Sequence, residues 1–131
     1  MLASDAICCL SRRMLTIEHV TVDCKNPMLL AEFWCEMLDW EIIQSSEEEA
    51  YIAPKNRSLV LMSDVLFYKN PDEKIVKNRL HFCLRPDNQA VEIERALGLG
   101  ARHADIGQTG EESWVVMADP EGNEFCILRS A

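Results

Sequence analysis

Two histidines, a glutamate and a cysteine are the residues of this 131-residue chain whose types and placement can do chemistry: His19, His81, Glu124 and Cys126. Imidazole, carboxylate and thiol are the side chains that exchange protons or coordinate divalent ions near neutral pH. The histidines open two similar stretches, His19-Val20-Thr21-Val22 and His81-Phe82-Cys83-Leu84, and seven positions after each stands an asparagine, Asn26 and Asn88. Glu124 and Cys126 follow Asp119-Pro120-Glu121-Gly122-Asn123. Those five residues read as a tight turn, because Pro120 presets its φ, Gly122 tolerates a positive φ, and Asp119 and Asn123 can bond the local backbone. Beyond the turn, Phe125 and Ile127 alternate with Glu124 and Cys126, so one face of the last strand is apolar and the other carries a carboxylate and a thiol.

The elements that position these residues can be read in order. A first strand is expected over Leu15–Cys24, with His19, Thr21 and Asp23 on one face and Val20, Val22 and Cys24 on the other. Asn26-Pro27 supplies an N-cap and a proline at the first helical position, and Leu30, Phe33, Trp34, Met37 and Leu38 recur at helical spacing. Three short strands are expected next, at Trp40–Gln44, Ala50–Ala53 and Ser58–Met62, then a connecting segment over Asp64–Lys77. The run Glu47-Glu48-Glu49 reads as a solvated turn.

The pattern then begins again. Leu80, Phe82 and Leu84 alternate with His81, Cys83 and Arg85; Asn88 leads into a helix with Ala90, Ile93, Ala96 and Leu97 on one face. Gly98 and Gly100 stop that helix, Ala101–Ile106 forms a strand, and the final hairpin adds Trp114–Ala118 and the last strand. Two such units facing one another would enclose a cavity and turn His19 and His81 into it.

Bulk properties narrow the functional classes. The length suits one domain, and 48% hydrophobic with 27% charged residues suits a folded globule. A net charge of -9 opposes binding to nucleic acid or anionic membranes. No phosphate-cradling glycine loop is present, so no nucleotide cofactor is expected. The six cysteines form no Cys-x-x-Cys pair, which reads as free thiols in a reducing cytoplasm. Residues 1–13 read as an N-terminal extension with Met14 as the start of the domain, and neither a secretory signal nor a membrane span is expected.

Ile17-Glu18-His19-Val20, Ala31-Glu32-Phe33-Trp34 running to Leu38-Asp39-Trp40, Leu80-His81-Phe82 and Asp119-Pro120-Glu121-Gly122-Asn123 together resemble the vicinal-oxygen-chelate superfamily of glyoxalase-like and bleomycin-resistance-like proteins. The resemblance covers about Leu15 to Arg129. It implies an α+β fold in which two pseudo-symmetric βαβββ modules, about 14–68 and 78–131, curve around a shared cavity, in a homodimer. It also implies that metal-dependent members hold a divalent ion (Zn, Fe, Ni or Mn) through residues on the first and last strands of each module. His19 and His81 match two such positions.

The carboxylate positions depart from that pattern. Four residues beyond the turn glycine stands Cys126, Glu124 lies nearer the turn, and the first-module counterpart falls in Leu59–Met62, which has no carboxylate. A site of His19, His81, Glu124 and Cys126 is the alternative set of ligands, since zinc accepts nitrogen, sulfur and oxygen donors. Because a ligand is missing, the favoured reading is a glyoxalase-like protein that binds, or acts on, a small organic molecule in a cavity lined by Thr21, Cys83, Arg85 and Trp114 as well. Glu124 is the candidate general base. A metal-dependent lyase, isomerase or dioxygenase using His19 and His81, and a non-catalytic drug-sequestering resistance protein, are the alternatives. His103 reads as a surface histidine.

Overall fold

The computed structural model describes residues 15, 17–56 and 64–131. Its elements run β1 (His19–Cys24), α1 (Pro27–Leu38), β2 (Trp40–Ser45), β3 (Glu49–Pro54), β4 (Asp64–Lys69), β5 (Phe82–Leu84), α2 (Gln89–Gly98), β6 (Arg102–His103), β7 (Val115–Ala118) and β8 (Glu124–Ile127). This is βαβββ twice. The sheets have the orders β1-β4-β3-β2 and β5-β8-β7-β6, with the first and last strand of each module parallel and the other neighbours antiparallel.

Both helices start where the sequence places a cap. Asn26 Oδ1 accepts the Leu29 N–H at 3.1 Å, and Asn88 Oδ1 accepts the Val91 N–H at 3.2 Å. Helix α1 ends at Asp39, whose φ of 55° is the left-handed stop. It buries Leu30, Ala31, Phe33, Trp34 and Met37.

Those side chains join the two modules. The Trp34 ring stands edge-on to Phe82 (5.3 Å) and Phe125 (5.0 Å), so the helix of the first module packs on the sheet of the second. Trp34 Nε1 donates to the buried Asp119 Oδ2 at 3.1 Å. From the same turn, Glu121 accepts the N–H groups of Lys25 (2.7 Å) and Asn26 (2.8 Å). Arg95 on α2 donates to the carbonyls of Glu36 (2.7 Å) and Met37 (3.0 Å) at the end of α1. One core therefore contains residues of both modules, among them Phe33, Trp34, Ile52, Phe67, Phe125 and Ile127.

Strands β2, β3, β5 and β7 differ from the sequence expectation by one or two residues at an end, Glu49 joining β3 instead of the expected turn, and three strands differ by more. Strand β1 begins at His19, leaving Leu15 and Ile17 exposed ahead of it. Strand β4 occupies Asp64–Lys69, inside the stretch expected to be a connection; Val65, Leu66 and Phe67 are buried in succession, so the alternation that signals a strand is absent. The expected strand at Ser58–Met62 and the leader lie outside the described residues. Strand β6 shrinks to Arg102–His103 because side chains capture the next backbone groups: Gln108 Oε1 accepts the Ile106 N–H at 2.7 Å and Gln108 Nε2 donates to the Ala104 carbonyl at 2.7 Å.

Candidate functional site

The common core decides which way the site residues face. Val22 and Cys24 on β1, and Phe82, Leu84, Phe125 and Ile127 on β5 and β8, pack into it. By strand alternation His19, Thr21 and Asp23, and likewise His81, Cys83 and Cys126, lie on the opposite faces of their sheets. His19 and His81 are not brought into one site: of the two, only His81 lines the pocket between β1 and β5. His19 instead sits half-buried, edge-on to Tyr51 at 5.5 Å between ring centroids.

A pocket of about 780 Å³ does form, between β1 and β5, which are edge strands of their sheets. It is bounded by Val20–Asn26, the connecting segment from Asn70 to Asn78, Leu80–Phe82 and the turn at 119–124. Of the predicted site residues, Thr21, His81 and Glu124 line it; His19, Cys83, Arg85, Trp114 and Cys126 do not. Arg85 donates to the Arg129 carbonyl at 2.8 Å, and Trp114 is exposed ahead of β7.

The pocket wall is acidic. Asp23, Asp72, Glu73, Asp119, Glu121 and Glu124 face Lys25 and Lys74 among the described residues. Lys25 pairs with Glu73, and Lys74 Nζ with Glu124 Oε1 at 2.8 Å. Burial pushes the Asp119 carboxyl above its ordinary range, against hydrogen bonds from Asn123, Trp34 and Glu121.

Glu124 does not suit the base role expected of it. Its other oxygen accepts the Asn78 N–H at 3.0 Å. Burial acts to raise its pKa, but the Lys74 ammonium and the Asn78 N–H outweigh that and hold it below the usual glutamate value. A carboxylate so held is a weak proton acceptor, and its evident work is to pin the connecting segment to the final hairpin.

A second cluster lies on the face of the β5–β8 pair opposite Phe82, Phe125 and Ile127. Cys83 and Cys126 are register partners on parallel strands, and His81 precedes Cys83 by two residues on the same face. One ligand atom from each of His81, Cys83 and Cys126 lies within 4.8 Å of the others. Neither His19 nor Glu124 belongs to this group. Burial, then the neighbouring Cys83 thiol, raises the pKa of Cys126, which disfavours a free reactive thiolate there. Burial likewise pushes Cys24 to about 12 and Cys35 to about 11, which disfavours a thiolate at either position.

A family profile described as the glyoxalase-like domain matches residues 19–128. The chain belongs to the glyoxalase-like domain family. Solved structures agree on the fold of this glyoxalase-like protein. FosX, a fosfomycin resistance protein from Listeria monocytogenes complexed with Mn(II) and 1S,2S-dihydroxypropylphosphonic acid, has a TM-score of 0.66 at 15% identity over 90% of this chain and 92% of its own. A glyoxalase/bleomycin resistance protein/dioxygenase family enzyme from Burkholderia phytofirmans gives 0.64 at 16% identity over 86% and 97%. A bleomycin-binding protein complexed with bleomycin gives 0.57 at 14% identity over 89% and 100%. No curated protein sequence matches the chain.

The divalent ion implied by the superfamily resemblance can be tested on the donor set. Two histidines and two carboxylates do not come together among the described residues, and Glu124 is already committed to Lys74 and Asn78. A hard, oxygen-preferring ion therefore lacks its ligands at this cluster. Sequence reasoning also missed the pocket-lining Asp119, Glu121, Lys74 and Asn78. The turn motif announced the first two as turn formers, but nothing local signals that their carboxylates reach Trp34 and the start of α1.

Proposed function

We propose that this glyoxalase-like protein binds a small organic molecule, neutral or cationic, in the pocket between β1 and β5. The observation that carries this reading is the 780 Å³ volume with its surplus of carboxylates over lysines. That volume falls in the range of roughly 300–1,000 Å³ found for small-molecule sites. Trp34, Phe82 and Leu29 give the pocket apolar surface, and Asn78 and Thr21 give it polar contacts to orient a ligand. The bleomycin-binding protein among the similar folds is in keeping with a binding role. With Glu124 held ionised in an ion pair, no general base is assigned, and sequestration ranks above lyase, isomerase or dioxygenase chemistry.

The protein in this reading works as a homodimer in a reducing cytoplasm. Four large apolar side chains, Ile17, Ile75, Val76 and Leu80, are 79%, 85%, 76% and 86% exposed, and a second copy would cover them. No helix among the described residues is long and apolar enough to cross a membrane.

A thermal-shift screen comparing cationic, neutral and anionic organic compounds at matched size tests the binding reading. Cationic or neutral compounds are expected to raise the melting temperature, with the shift reduced in Asn78→Ala. Shifts produced by phosphonates or other anions alone would overturn it. Light scattering at micromolar concentration tests the dimer, and a monomer mass would remove it.

A further inference from the structure

We infer that His81, Cys83 and Cys126 form a binding site for a thiophilic metal ion, zinc(II) or copper(I), contained wholly within the second module. The inference stands apart from the pocket reading, which shares only His81 with it. Adjacent strands hold their backbones about 4.8 Å apart, and the parallel register sets Cys83 directly beside Cys126. His81 stands one pleat along on the same face. The scaffold is thus sheet, not loop, for both sulfurs.

The distances fit. Donors around a tetrahedral zinc, with Zn–S of about 2.3 Å and Zn–N of about 2.0 Å, stand roughly 3.5–3.8 Å apart. The three ligand atoms already lie within 4.8 Å of one another, with His81 and Cys83 exposed and Cys126 buried. Three protein donors leave one tetrahedral position for water or a ligand oxygen. Two thiolates and an imidazole select zinc or copper(I) over manganese or magnesium. The first module cannot reproduce the site, since Thr21 and Leu66 are the register pair that corresponds to Cys83 and Cys126.

The full chain, purified in reductant without chelator and loaded with cobalt(II) as a spectroscopic probe, tests the site. One cobalt per chain is expected, with a thiolate-to-metal charge-transfer band that zinc(II) abolishes and excess manganese(II) or magnesium(II) does not. Cys83→Ser should weaken zinc binding beyond the roughly 10–100-fold that disturbing an outer-shell partner costs. The Cys83→Ser/Cys126→Ser pair should lose the band, and His103→Ala should keep it. Because Cys83 is exposed, its serine variant should retain the circular dichroism of the parent. Asn78→Ala should leave the band intact while weakening organic-ligand shifts, so the two readings can fail separately. A band absent from the reduced parent would overturn the inference. So would zinc affinity unchanged in Cys83→Ser, a Cys83–Cys126 disulfide persisting in reductant, or loss of metal in His19→Ala.

Discussion

The two modules share a topology and differ at the faces their first and last strands turn away from the core. In the first, the parallel register sets His19 beside Asp64 and Thr21 beside Leu66. In the second it sets Cys83 beside Cys126, with His81 and Glu124 just before that ladder. Histidine and carboxylate thus recur at like positions, but where the second module has two thiols the first has a hydroxyl and an isobutyl group. Ladder geometry fixes where these side chains stand, and residue identity fixes what they can bind. The lesson is that repetition of a fold does not repeat a site.

The modules are nonetheless coupled, and the sharpest way to break the comparison is at Trp34. Trp34→Ala removes a buried ring by which α1 of the first module packs on Phe82 and Phe125 of the second and should cost about 3–5 kcal/mol. Urea unfolding should stay a single transition with a lowered midpoint; two separated transitions would show the modules to be independent. Asp119→Ala leaves the Trp34 indole N–H and the turn amides without their buried acceptor and should cost about 2–3 kcal/mol, read from the same curves.

A third change sharpens the contrast by erasing it. Installing T21C and L66C beside His19 gives the first module the donor set of the second. Cobalt stoichiometry should rise from one to two per chain, at a stability cost of about 1–2 kcal/mol for the lost leucine packing. A stoichiometry still at one would show that register alone does not make the site.

The smallest effect concerns Glu124. Its folded pKa is depressed, so its ion pair with Lys74 contributes stability that is present above the ordinary glutamate pKa and lost as pH falls through the folded value. Glu124→Gln should cost about 1 kcal/mol at neutral pH and flatten the acid limb of the stability profile, measured by urea midpoints from neutral pH downward. An unchanged acid limb would deny the pair this role.

Much of the architecture was legible in the chain. Asn26-Pro27 and Asn88 mark both helix starts because capping is local chemistry, and the period-two alternation of Phe82–Leu84 and Glu124–Ile127 marks two strands, though β8 is buried at Phe125, Cys126 and Ile127 alike and Leu80 stands exposed ahead of β5. Strand β4 escaped because Val65–Phe67 is buried on both faces and carries no period. Which of the polar-face residues share a pocket was not legible, because periodicity tells which residues share a face of one strand but not how two sheets sit beside one another; Thr21 and His81 line the pocket and His19 does not. His81, Cys83 and Cys126 were each recognisable as residues of the polar face of their strands; their union into one group needed the register between strands forty-three positions apart, Cys83 opposite Cys126.

X-ray absorption at the zinc edge of the zinc-loaded chain tests the soft site of the second module most directly. Two sulfur scatterers at about 2.3 Å with nitrogen or oxygen at about 2.0 Å are the predicted first shell. A shell of nitrogen and oxygen alone would contradict it.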